Sequence, residues 1–124
     1  MLANKEVVIE VEHCSNTQDA RDITQKYFSK KTKPEAVFCM SDEILIGVMK
    51  TLNELKIAIP ATTGVIALSD GFFPTIYTPE ITYIETSGYK LGKLAFKRMI
   101  NCMTEKTGPS ELYTDSPFIN GGSI

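Results

Sequence analysis

Apolar and polar positions switch between two periods along this chain, and each switch marks an element. Val7, Val8, Ile9 and Val11 form a short β-branched run that predicts a first strand. Ser15, Asn16 and Thr17 follow, with Gln18 three residues after Ser15, the spacing of a capping box that opens a helix. That helix carries Ala20, Ile23, Tyr27 and Phe28 near one face and ends around Lys30-Lys31, two cations suited to the negative end of a helix dipole. Pro34 stops it and leads into a strand from Ala36 to Met40. A second helix starts at Ser41-Asp42; Leu45, Val48, Met49, Leu52 and Leu55 recur at helical spacing, leaving Lys50, Asn53, Glu54 and Lys56 to solvent.

Ile59-Pro60 closes that connection, and Gly64 to Leu68 is a short, wholly apolar strand. A strand without alternation predicts a sheet covered by helices on both faces. Residues 71–79 read as a loop or a short helical turn, and Ile81 to Glu85 as a fourth strand. Ser87 to about Glu105 predicts a third helix with Leu91, Ala95, Met99 and Cys102 on one side. Thr107-Gly108-Pro109 breaks the chain, and strand-like pieces at Leu112-Tyr113 and Phe118-Ile119 precede Gly121-Gly122.

Alternating strands and helices imply an α/β fold: a three-layer, mostly parallel sheet flanked by helices and joined by right-handed crossovers. In such sheets ligands sit beyond the carboxyl ends of the strands. That places Ser41, Asp42, Ser69, Asp70, Glu85, Thr86 and His13 around one rim. Each of these also has a purely structural use. Ser41 and Asp42 can cap the second helix, and Ser69-Asp70-Gly71 can be turn chemistry. Phe72, Phe73 and Tyr77 form an apolar cluster on the connection after the second of these strand ends, suited either to local core or to a partner interface.

The chain's 124 residues are enough for one domain with a real core. A formal charge of −2 weighs against a domain whose main partner is nucleic acid. No apolar run is long enough to cross a bilayer, and the first residues lack a basic segment followed by a signal-type stretch, so the expected location is cytoplasmic. Cys14, Cys39 and Cys102 have neither an even disulfide framework nor metal-ligand spacing and read as reduced thiols. Chemistry is thinly supported. His13-Cys14 has no orienting third group, a single histidine leaves no triad or metal set, and no phosphate-binding glycine loop occurs. The expectation is a protein that is not an enzyme, with no catalytic residues, no metal and no cofactor.

The order of motifs resembles the effector-binding core of LacI-type transcriptional regulators, whose fold is shared with periplasmic sugar-binding proteins. The residues that carry the resemblance are AVFCMSDEILIG with Gly47, then LKIAIP, VIALSD, PEITY and YKLGKLA with Leu91, Gly92 and Ala95. The match is clear over about residues 35 to 100. It implies one subdomain of a periplasmic-binding-protein-like (type I) fold. Residues 1–124 would be the C-terminal subdomain, with the helix-turn-helix headpiece and the first subdomain outside this chain.

By position, the resemblance implies ligand contacts at Ser41, Asp42, Ser69, Asp70 and Thr86, and a dimer interface at Ile46, Phe72, Phe73 and Tyr77. The implied partners are a small-molecule effector of carbohydrate type, a second copy of the chain, and operator DNA reached only through the headpiece. Three departures stand out. Ser69 replaces the family's usual ligand-binding Asp, Tyr83 replaces the second Thr of its Pro-x-Leu-Thr-Thr motif, and Gly121 stands where an Arg often precedes Ser123. A phospho-acceptor receiver is the alternative reading, with Glu12, Asp70 and Thr86 at strand ends, but it would need a paired acid and a lysine that the sequence does not supply.

Overall fold

Three short runs of β-prone residues pair side by side and fix everything else. In the computed structural model, which describes residues 6–105, 108 and 110–124, the elements run α1 (Thr17–Phe28), β1 (Ala36–Cys39), α2 (Asp42–Glu54), β2 (Gly64–Ser69), α3 (Phe72–Thr75), β3 (Thr82–Glu85), α4 (Gly88–Glu105) and β4 (Phe118–Ile119). The sheet order is β1-β2-β3-β4. The first three strands are parallel and β4 runs antiparallel to β3. The mostly parallel sheet flanked by helices is the architecture the alternation predicts. The predicted break at Thr107-Gly108-Pro109 falls largely outside the described residues.

Helix α2 forms where its apolar spacing places it, and it buries Leu45, Val48, Met49 and Leu52. These meet Phe28, Cys39, Val65, Ala67 and Ile81 in one core. Helix α1 starts one residue later than its predicted cap. Asn16 is the N-cap, its side chain accepting from Asp19 N at 2.9 Å, while the Asp19 carboxylate accepts from Ser15 N at 3.0 Å. A carboxylate beside the positive end of a helix is a stronger reciprocal partner than the neutral Gln18 amide.

Burial along β2 alternates, in contrast to the even cover its sequence predicts. Val65, Ala67 and Ser69 lie in the core side of the sheet, while Ile66 and Leu68 are only half-buried on the other. The reason is α4. Its ends fall where the sequence puts them, with Ser87 Oγ accepting from Lys90 N at 3.2 Å, yet none of its side chains is buried.

The predicted strand at Val7–Val11 is not formed. The segment has no ladder partner among the described residues, and its four apolar side chains are almost fully exposed. Strand propensity is local, but a strand needs a neighbour to satisfy its backbone groups. Side chains tether the segment to α1 instead. Glu12 accepts from Tyr27 Oη at 2.7 Å and from Lys26 Nζ at 3.1 Å, and Glu10 lies 3.9 Å from Lys30. Hydrogen bonding from Tyr27, then from Lys26, holds the Glu12 carboxyl below its usual range. Leu112-Tyr113 likewise forms no strand.

Candidate functional site at the strand ends

The parallel register brings the predicted rim together. Cys39, Ala67 and Tyr83 are level across β1, β2 and β3, so Ser41, Ser69 and Glu85, each two residues on, end at one edge. Thr86 joins them: its N–H donates to the Ser69 carbonyl at 2.7 Å and its hydroxyl to the same oxygen at 3.3 Å.

Most of these polar groups are already in structural use. Ser41 caps α2, its Oγ accepting from Ile44 N at 3.3 Å. Ser69 is buried, and its Oγ accepts from Gly71 N at 3.0 Å. Asp70 is exposed, and its Oδ1 accepts from Phe72 N at 3.2 Å in an Asx turn. Asp42 differs from these. One carboxylate oxygen, Oδ1, is buried with no hydrogen-bond partner among the described residues. A buried acceptor left unpaired costs about 1–3 kcal/mol, so this oxygen is poised for a donor.

Glu85 and Lys90 add a charged pair, 2.8 Å apart, linking the end of β3 to the first turn of α4. The Glu85 carboxylate holds the Lys90 ammonium above its usual range. Lys90 was not among the residues singled out from the sequence. The signal for it is an acid at a strand end five residues before a lysine, with only a helix cap between.

Other predicted residues lie elsewhere. His13 sits on the unpaired segment before α1, with Nε2 3.3 Å from Ser15 Oγ. Glu12 is engaged with Tyr27 and Lys26, so it forms no acid pair with Asp70, and the receiver reading loses its support. Burial first, then Asp19 and Glu12, pushes the Cys14 thiol up, the opposite of what a nucleophile needs. Phe72 points outward and stands edge-on to Phe73, their ring centroids 5.3 Å apart. Phe73 and Tyr77 pack partly on the core, and Ile46 is half-buried on α2.

The tail explains one departure from the family pattern. Ser123 Oγ accepts from Thr82 N at 2.8 Å and donates to the Val65 carbonyl, and Ser123 O accepts from Val65 N at 2.9 Å. The tail is thereby bound between β2 and β3 at the end opposite the rim. There a Cβ on Gly121 would lie 2.6 Å from the carbonyl oxygens of Glu80 and Ile81, so the position has no room for an arginine. The surface is concave along α4, between Leu91, Leu94, Ala95 and Arg98 and the returning Ser110 and Leu112.

Comparison with known proteins agrees with this fold. The family model described as a periplasmic binding protein-like domain matches residues 3–124. The transcriptional regulator RegA of Clostridium acetobutylicum is 32% identical over 76 residues, covering 61% of this chain and 23% of RegA. The ribose operon repressor of Escherichia coli is 29% identical over 86 residues, covering 69% of this chain and 26% of the repressor. The crystal structure of a LacI family transcriptional regulator from Enterococcus faecium with bound ribose superposes with a TM-score of 0.75 at 20% identity, over 87% of this chain and 40% of that one. The chain thus spans about a quarter of the length of the curated relatives it matches. The chain belongs to the periplasmic binding protein-like domain family.

Proposed function

We propose that this chain forms one wall of the effector site of a LacI-type transcriptional regulator. The observation that carries this reading is the convergence of Ser41, Ser69 and Thr86 at the ends of three adjacent parallel strands. The effector is a small polar metabolite of carbohydrate type. It meets Ser41, Asp42, Ser69, Asp70 and Thr86 on this side and a second α/β subdomain on the other. Closing the two subdomains on the ligand would alter the spacing of DNA-binding headpieces and so the affinity for operator. The regulator works in the cytoplasm as a homodimer through Ile46, Phe72, Phe73 and Tyr77, and it carries out no catalysis.

A single wall predicts weak binding. A micromolar site is worth about 8 kcal/mol, and losing half of its contacts leaves about 4 kcal/mol, a millimolar site. Ribose is the first probe, because the Escherichia coli relative is a ribose operon repressor and the Enterococcus faecium structure contains ribose. Calorimetric titration of the chain with ribose and a panel of other sugars should give millimolar affinity or weaker. A micromolar heat would contradict the half-site reading. A mobility-shift experiment should show no specific operator complex, and its formation by this chain would refute the assignment of DNA contacts to a headpiece.

A further inference from the structure

Asn120 is the one asparagine of this chain that a glycine follows; Asn4, Asn16, Asn53 and Asn101 precede lysine, threonine, glutamate and cysteine. An asparagine before glycine is chemically exposed, because no Cβ keeps the next backbone nitrogen away from its side-chain amide. Asn120 faces solvent at the point where β4 passes into the tail of Gly121, Gly122 and Ser123. Its Oδ1 accepts from Thr82 Oγ1 at 3.3 Å and from Gly122 N at 3.2 Å. Thr82 is wholly buried, and the same hydroxyl oxygen accepts from Gly121 N at 3.1 Å. One threonine hydroxyl thus holds both the attacking nitrogen and the amide it would attack.

We propose that Asn120-Gly121 is a deamidation site that the Thr82 hydroxyl keeps closed while the tail is seated. In the reaction the Gly121 nitrogen gives its proton to hydroxide and bonds to Asn120 Cγ. The bond from Cγ to Nδ2 breaks, ammonia leaves, and a succinimide ring remains. Water then opens the ring at either carbonyl, leaving aspartate or an isoaspartate whose backbone runs through the former side chain. Water and its ions are the only co-reactants. In the seated tail neither partner is free, since the Gly121 N–H is given to Thr82 and Oδ1 holds two donors. Releasing bonds of this strength together lowers the reactive fraction about tenfold or more. The product does not reseat well. Isoaspartate adds a methylene to the backbone, where a Cβ on Gly121 would already lie 2.6 Å from the Glu80 and Ile81 carbonyl oxygens. None of these residues belongs to the rim, so the site is independent of the regulator reading.

The test follows conversion of Asn120 with time at neutral pH, by peptide-resolved mass spectrometry with enzymatic isoaspartate labelling. The 124-residue chain is compared folded and unfolded in urea, beside folded Thr82→Val and Thr82→Ser. Valine keeps the β-branched shape without the hydroxyl, serine keeps the hydroxyl, and circular dichroism checks that each variant is folded. The expected result is conversion about tenfold or more slower in the folded chain than in the unfolded one. Thr82→Val should recover much of that difference while folded, and Thr82→Ser should stay near the parent rate. Equal rates in the folded and unfolded parent chain overturn the proposal, a comparison that needs no variant to fold. So does a folded Thr82→Val that converts no faster than the parent, or a Thr82→Ser that converts as fast as Thr82→Val.

Discussion

Thr86 and Ser69 are joined twice through one carbonyl, the Thr86 amide at 2.7 Å and its hydroxyl at 3.3 Å from Ser69 O. The two strand ends that would face an effector are thereby locked together, and the Ser69 hydroxyl is turned to the Gly71 amide. Ser69→Ala should cost about 1–2 kcal/mol, because it leaves that partly buried N–H unpaired. Thr86→Val should cost less than about 1 kcal/mol, since the exposed hydroxyl goes but the amide bond and strand propensity remain. Urea denaturation of the two variants checks the ranking, and the reverse order would mean that Thr86 rather than Ser69 holds the turn.

Gly47 of α2 is where the two N-terminal helices touch. A Cβ there would lie 2.5 Å from the Thr17 carbonyl oxygen and 2.8 Å from Ala20 Cβ. Gly47→Ala gains about 1 kcal/mol of helix propensity, but overpacking against backbone costs about 1–3 kcal/mol. The expected net effect is a lower melting temperature, and a rise would show that α1 moves aside without cost.

Gly121 tests why this chain departs from its family. Gly121→Arg restores the residue often found before the serine, yet its Cβ would press on the backbone of Glu80 and Ile81. Destabilisation of about 1–3 kcal/mol is expected in chemical denaturation. Unchanged stability would mean that the close approach of the tail relaxes freely.

Cys39 is wholly buried, and burial pushes its thiol from its ordinary 9.0 up to about 12. The folded value lies above the unfolded one. The associated stability is therefore complete below pH 9 and is lost as pH rises toward 12. Mass spectrometry after brief alkylation of the native protein at pH 8 should find Cys39 unmodified until denaturant is added. Modification of Cys39 in the native state would contradict the packing of β1 against α2.

The limits of α2 and α4 were legible because their signals are local: apolar spacing, a hydroxyl cap, a glycine and a proline. Val7 to Val11 misled because β-branched composition states a preference, whereas a strand also needs a partner elsewhere in the chain. The rim was legible as a set of residue types at strand ends. How it is wired was not. Parallel register decides that Ser69 meets Thr86 and stands level with Glu85, and register depends on pairing across distant segments. The exposure of the α4 stripe was equally hidden, since an amphipathic pattern says that a face will be covered but not by what.

The most direct test of the rim as an effector-binding wall is an amide-resolved NMR titration of the chain with millimolar ribose and the same sugar panel. The account predicts that at least one sugar shifts the amides of Ser41 to Glu43, Ser69 to Gly71 and Glu85 to Ser87, and that Ser41→Ala with Thr86→Val removes those shifts. Shifts confined to Lys93 and Lys97 of α4 or to the Ser123 end of the sheet would contradict it.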